Sequence, residues 1–226
     1  RALSEAEVQA LYELEKPKID LTSGLVAWYP FDGNASDMSG NGNHGSLLEH
    51  SFVSDRNGKP GKAFKPEEIH QFQSGKGSND PSSISFWILM DDYTWTSPSN
   101  WFKSNMEGLV FPNLVGTSAI YFADNTFDWD TGSGIRAYEN YKSTLVGDQT
   151  WHHIVYAYSG KLSESDAFLD GQKLSGGNIV WGSKDYFDQP SQLVSFPSYE
   201  GTNNAIDDIR IYNRALSEAE VQALYE

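Results

Sequence analysis

Apolar and polar residues alternate in short runs along most of this chain, and a period of two predicts strands rather than helices. In GLVAWYPFDG (24–33), Leu25, Ala27, Tyr29 and Phe31 alternate with Val26, Trp28 and Pro30, so a strand covered at least partly on both faces is expected there. The runs 83–90, 108–112, 119–122, 134–138, 151–158, 167–169, 192–196 and 205–212 read the same way. Nine such runs, split by clusters of Gly, Asn, Ser and Asp, fit an all-β chain folded as two packed antiparallel sheets. Asp170-Gly171, set between apolar strand ends in FLDGQKL (168–174), predicts a tight hairpin.

One stretch departs from this period, and it occurs twice. RALSEAEVQALYE fills positions 1–13 and again 214–226. Each copy carries a capping box (Ser4 with Glu7, Ser217 with Glu220), and Leu216 with Val221 adds a hydrophobic staple. A short helix is expected, with one apolar stripe through Val221, Leu224 and Tyr225. An identical 13-mer does not recur by chance. The reading is therefore 1–13 as the C-terminal helix of a preceding tandem repeat, 14–19 as a linker, and 20–226 as one domain. A linker this short, with Pro17 in it, would hold tandem domains in a nearly fixed relation.

Charge and composition exclude several partners. The 226 residues carry a formal net charge of −15, and 1–19, with three basic and four acidic residues, contribute almost none of it. Such a surface suits neither nucleic acid nor anionic membranes. No apolar run approaches the roughly 20 residues that span a bilayer. Cysteine is absent, which excludes a disulfide framework, thiolate catalysis and Cys-ligated zinc. The chain is expected to be monomeric.

Four stretches carry a family resemblance. GLVAWYPFDGNASDMSGNGNHG (24–45), ISFWI (84–88), TWHHIVYAYSG (150–160) with AFLDGQKL (167–174), and AIDDIRIYNRALSEAEVQALY (205–225) resemble, in order and spacing, the bacterial laminin-G-like family of concanavalin A-like jelly rolls. The resemblance implies a two-sheet antiparallel jelly-roll sandwich, paired first and last strands, a short C-terminal helix and a structural calcium ion. It also implies a secreted or cell-surface bacterial setting, beside catalytic modules of carbohydrate-active enzymes or in adhesins. Residues 91–149 match no part of it.

The loop DGNASDMSGNGNHG (32–45) combines short oxygen-bearing side chains with four glycines. A hard cation such as calcium needs oxygen ligands at about 2.3–2.6 Å on such a backbone, and an Asx- and Gly-rich turn needs the same composition. Strict alternation through 205–212 puts Asp207 on the face of Ile209 and Ile211, aiming a carboxylate at the core, where a metal would offset its burial. The strand pairing that the resemblance implies brings Asp207 near the loop. The expected calcium set is Asp32, Asn34, Asp37, Asn41, Asn43 and Asp207, with Asp208 turned to the opposite face.

Catalytic patterns carried by this sandwich are broken. A retaining glucanase sets acids on one strand face as E-x-D-x-x-E, and the nearest string, Glu164 to Leu169, ends in leucine. EIHQF (68–72) is similar to part of a lyase site but lacks the Arg and Tyr motif beside it. His152 and His153 alternate, so one is expected to face in and the other out, both structural.

Trp28, Trp87 and Trp151 fall in the resembling motifs and read as core. Trp95, Trp101, Trp129 and Trp181 fall outside them, among Asp, Asn, Ser, Lys and Gly. Sugars present apolar C–H faces ringed by hydroxyls, so flat rings beside short polar side chains make a suitable site. The expected ligand residues are Trp95, Trp101, Lys103, Tyr121, Asp124, Asp128, Trp129, Arg136, Tyr138 and Trp181; the alternative is that the aromatics fill small cores beneath loops. The resulting expectation is a non-catalytic, calcium-stabilised polysaccharide-binding module in a larger secreted protein, its partners a glycan, adjacent tandem domains and a catalytic module of the parent chain. An adhesin or spacer module is the alternative, and a lyase or hydrolase domain the third.

Overall fold

A computed structural model describes residues 1–15, 18–45, 47, 50–66, 70–73, 82–89, 108–111, 118–123, 126–131, 136–138, 149–158, 166–173, 178–180, 193–196 and 205–226. Helix α1 (Glu5–Glu15) precedes fifteen strands: β1 (Leu25–Tyr29), β2 (His50–Val53), β3 (Ala63–Pro66), β4 (His70–Gln73), β5 (Ser82–Leu89), β6 (Gly108–Phe111), β7 (Ser118–Ala123), β8 (Thr126–Thr131), β9 (Arg136–Tyr138), β10 (Trp151–Tyr158), β11 (Asp166–Leu169), β12 (Gln172–Lys173), β13 (Asn178–Val180), β14 (Leu193–Phe196) and β15 (Ala205–Tyr212). Helix α2 (Glu218–Tyr225) closes the chain.

An eight-stranded sheet runs β12-β11-β10-β5-β15-β3-β2, with β1 also on β15. The terminal strands pair as expected: Leu25 opposes Tyr212 and Tyr29 opposes Ile209. A second, five-stranded sheet runs β4-β14-β6-β7-β8, and β9 pairs with β13 beside β8.

Alternation sorts the first sheet into two buried faces. Ala27, Tyr29, Phe64, Ile84, Phe86, Ile88, Ile154, Ile206 and Ile209 form one core. On the other face, Val155, Ala157, Phe168 and Tyr212 pack under Leu216, Val221 and Leu224 of the closing segment. Helix α2 begins with the expected capping box, Ser217 Oγ accepting from Glu220 N while the Glu220 carboxylate accepts from Ser217 N. Arg214 forks onto Glu220, and this pairing with its other hydrogen bonds holds the Glu220 carboxyl down at about 2.

That helix changes the expectation for the histidines. Both are buried, because the face that alternation assigns to solvent lies beneath α2. His153 packs at a tilt against Trp87 (5.0 Å between centroids), stacks with Tyr225 (6.0 Å) and bonds Ser85 through Nε2 at 2.8 Å. Burial depresses its pKa to about 3, so it is neutral. His152 bonds Asp170 at 2.8 Å through Nδ1 and Thr150 at 3.0 Å through Nε2. Trp87 is buried as expected, whereas Trp28 and Trp151 are only half-buried.

The hairpin at Asp170-Gly171 forms, both residues having positive φ (50° and 74°). A Cβ on Gly171 would come within 2.7 Å of Gln222 Oε1 and 3.1 Å of the Tyr225 ring. Gly171→Ala is therefore expected to cost about 2 kcal/mol, from backbone strain and displacement of α2, read as a lower denaturation midpoint.

Candidate functional site

The loop 32–45 is closed by its own hydrogen bonds. Buried Asp37 accepts four: Oδ1 from Trp28 N (2.9 Å) and Ser39 N (2.8 Å), Oδ2 from Ser39 Oγ (2.9 Å) and Asn43 N (2.9 Å). Burial pushes its carboxyl up, and the combined N–H and O–H donors outweigh that and hold it below the usual range. Asn41 Nδ2 donates to Leu25 O and Val26 O, and Asn43 Nδ2 also donates to Val26 O, so the loop is stitched to β1. Tyr29 Oη donates to Asn43 O, Asn34 Oδ1 accepts from Ser36 N, and exposed Asp32 pairs with Lys62 at 3.1 Å.

As placed, these residues do not make a calcium shell, and Asp207 is not part of the loop's hydrogen-bond set; its partner is Arg56. The four acceptor directions of Asp37 are filled by donors, and among the described residues no three acidic or imidazole side chains surround a common point.

Asp207 lies on the face opposite to the one alternation assigns. A bulge shifts the register of β15 against β5 between Asp207 and Arg210, and Asp208 takes a positive φ of 52°. Ile206 and Ile209 therefore stay in the core while Asp207 pairs with Trp87 on the α2 side. There Arg56, from the β2–β3 loop, donates to Asp207 at 2.9 Å, contacts Asp208 at 3.5 Å and sits 4.7 Å over the Trp87 ring. Asp208 is buried: it accepts from Trp28 Nε1 at 2.5 Å and pairs with Arg210 at 3.2 Å, and Arg210 covers the Trp28 ring at 4.8 Å. This is a structural clamp of alternating rings and charges that ties the β2–β3 loop to the sheet. Tyr225 stacks on Trp87 at 5.6 Å and extends it to α2.

The second sheet carries a different arrangement. Register sets Tyr121 opposite Asp128, Ala119 opposite Asp130, Gly108 opposite Tyr121 and Val110 opposite Ala119. It continues with Ser195 opposite both Val110 and Gln71, and Leu193 opposite Gln73. Directly opposed residues share a face, so Gln71, Gln73, Ser195, Tyr121, Asp128 and Asp130 fall on one side of the sheet, with Leu193, Val110 and Ala119 between them. Ile120, Phe122, Phe127 and Trp129 fall on the other, with Phe72, Val194, Leu109 and Phe111. The polar side spans four interstrand steps, about 19 Å, which is wide enough for several sugar rings.

Of the expected ligand residues, register brings Tyr121 and Asp128 together and puts Trp129 on the apolar side. Arg136 and Tyr138 lie on β9, outside this sheet. Trp95, Trp101, Lys103, Asp124 and Trp181 lie outside the described residues. The sequence reading left Gln71, Gln73 and Ser195 off the face; the alternation of His70-Gln71-Phe72-Gln73 was the available signal.

A model of the Laminin_G_3 family, described as the concanavalin A-like lectin/glucanases superfamily, matches residues 68–222. The chain belongs to this family. No curated protein matches the laminin-G-like chain in sequence. Among solved structures, domain 4 of AbnA, a GH43 extracellular arabinanase from Geobacillus stearothermophilus, in complex with arabinotriose, is similar at TM-score 0.62 and 18% identity, over 89% of this chain and 98% of that one. The binding domain of Paraclostridial Mosquitocidal Protein 1 aligns at TM-score 0.63 and 20% identity, over 91% of this chain and 52% of its own. Trypanosoma rangeli sialidase in complex with sialic acid aligns at 0.61 and 14%, over 98% of this chain and 39% of its own. Identities this low show the fold, and that fold is shared by binding domains and enzymes. No helix among the described residues is long and apolar enough to cross a membrane.

Proposed function

We propose that this laminin-G-like chain is a non-catalytic polysaccharide-binding module of a larger secreted bacterial protein, and that the polar side of its second sheet receives the glycan. The observation that carries this is the register that sets Tyr121 beside Asp128 on a face with Asp130, Ser195, Gln71 and Gln73. An aromatic ring offers a platform for a sugar's C–H face, and the amides and carboxylates beside it match its hydroxyls. The complex of the structurally similar domain 4 of that arabinanase with arabinotriose supports a short neutral glycan as ligand.

Affinity electrophoresis through plant, algal and bacterial polysaccharides tests this. Retardation by at least one polymer is expected, with Tyr121→Ala abolishing it at an unchanged melting temperature. Uniform mobility across the panel would favour the adhesin or spacer role instead.

Asp128 and Asp130, two residues apart on one face, keep a glycoside hydrolase as the second reading, since paired carboxylates are the machinery of that reaction. Incubation with a retarding polymer is expected to release no reducing ends; release that Asp128→Asn removes would make the chain an enzyme.

The sequence points to Asp32, Asn34, Asp37, Asn41, Asn43 and Asp207 as calcium ligands, while the filled acceptors of Asp37 support closure by hydrogen bonds alone. Chelator is therefore expected to leave the melting temperature in place. A fall that calcium reverses would assign the ion to this loop.

A further inference from the structure

The same thirteen residues occur twice in this chain, once seated and once bare. In the second copy Val221 is 0% and Leu224 6% exposed, packed with Leu216 against Val155, Ala157, Phe168 and Tyr212. In the first copy the corresponding Val8 is 53% and Leu11 43% exposed, and Leu3 and Tyr12 are exposed as well. Both copies are nonetheless helical, and both are closed by the same device: Ser4 N and Oγ donate to the Glu7 carboxylate, which also pairs with Arg1, as Glu220 does with Ser217 and Arg214. Helix α1 thus presents, already formed, the apolar stripe that fits the α2 groove.

On its own chain that groove is filled. Tyr212 Oη donates to Leu21 O, Asn213 N to Gly24 O and Arg214 Nε to Ser23 O, so the strand end that precedes α2 lies against the segment that follows α1. From Glu15 to Leu21 the chain reaches at most about 20 Å. A tethered α2 acts at an effective concentration in the millimolar range, and α1 does not displace it in dilute solution.

We propose that α1 is a docking element for a second copy of this fold, occupying that copy's α2 groove. Helix α1 is identical to a segment whose seat the structure shows, and the groove abuts the entry point of the following chain. Copies joined this way would meet at one corner of the first sheet.

The test disables the intramolecular competitor in the full chain. In Val221→Lys/Leu224→Lys, α2 cannot seat, and light scattering over a concentration series is expected to show association that the wild type lacks, with a melting temperature that rises with concentration. Adding Val8→Lys/Leu11→Lys should abolish both. A folded double variant that stays monomeric, or association that survives the α1 substitutions, overturns the proposal. Should the double variant not fold, a synthetic RALSEAEVQALYE peptide in excess is expected to restore its near-ultraviolet dichroism, and the peptide with lysine in place of its valine is not. Failure of the first peptide, or success of the second, overturns the proposal equally.

Discussion

Asp37→Ala is expected to lower stability by about 3 kcal/mol, or the melting temperature by roughly 10 °C, because it leaves the donors of Trp28, Ser39 and Asn43 without their acceptor. The loop 32–45 loses its central knot, and β1 loses the brace along its edge. Asp37→Asn should be nearly as damaging. The four contacts are all donors, and the amide nitrogen of asparagine would turn one of the two accepting atoms into another donor. Thermal melts of both variants check this. An asparagine variant as stable as the parent would mean that two of the four contacts contribute nothing.

Arg56→Ala is expected to cost about 3 kcal/mol at pH 8 and distinctly less at pH 5. It strands Asp207, buried beside Trp87, while Asp208 keeps Arg210 and Trp28. The pH dependence follows from Asp207. Burial, opposed by Arg56 and reinforced by Asp208, pushes its carboxyl up to about 7, against an ordinary carboxylate value near 4 in the unfolded chain. Between those values the native state keeps a proton that the unfolded state has released. The stabilisation tied to that proton is complete below the unfolded value and is lost as pH rises through about 7. Melting temperature in the parent should therefore fall from pH 5 to pH 8, the fall should steepen in Arg56→Ala, and it should flatten in Asp207→Asn. A flat profile in the parent would place the Asp207 carboxyl in the ordinary range, held there by Arg56.

Much of the first sheet was legible because its strands alternate cleanly and its turns carry Asp-Gly or Gly. The limits of β10 and β15 match the runs 151–158 and 205–212, and the Asp170-Gly171 hairpin formed. Alternation failed at Asp207-Asp208, since it assumes an unbroken pleat and a bulge inserts one residue out of phase. Arg56 gave no signal at all: it sits in a loop of polar and glycine residues, and only the fold carries it over Trp87. The polar face of the second sheet was half legible. Asp128 and Tyr121 stood out by residue type, but β4 and β8 were not read as strands, and the register that groups Gln71, Ser195 and Asp130 with them is a long-range property. Trp129 shows the cost of reading residue type alone, since strand parity removes it from the face its neighbours share.

The two 13-mers separate the local from the tertiary. Sequence by itself determined that each is a helix, because a capping box and its Arg fork act over six residues and need nothing beyond them. It also determined which residues form the apolar stripe. Whether that stripe is buried was decided by the tertiary structure: α2 has Val155, Phe168 and Tyr212 beneath it, brought there by strands 45 to 70 residues away or adjacent through β15, while among the described residues α1 has no such surface. Removal of apolar area from water depends on what the rest of the chain places opposite, and identical residues meet different surroundings at the two ends.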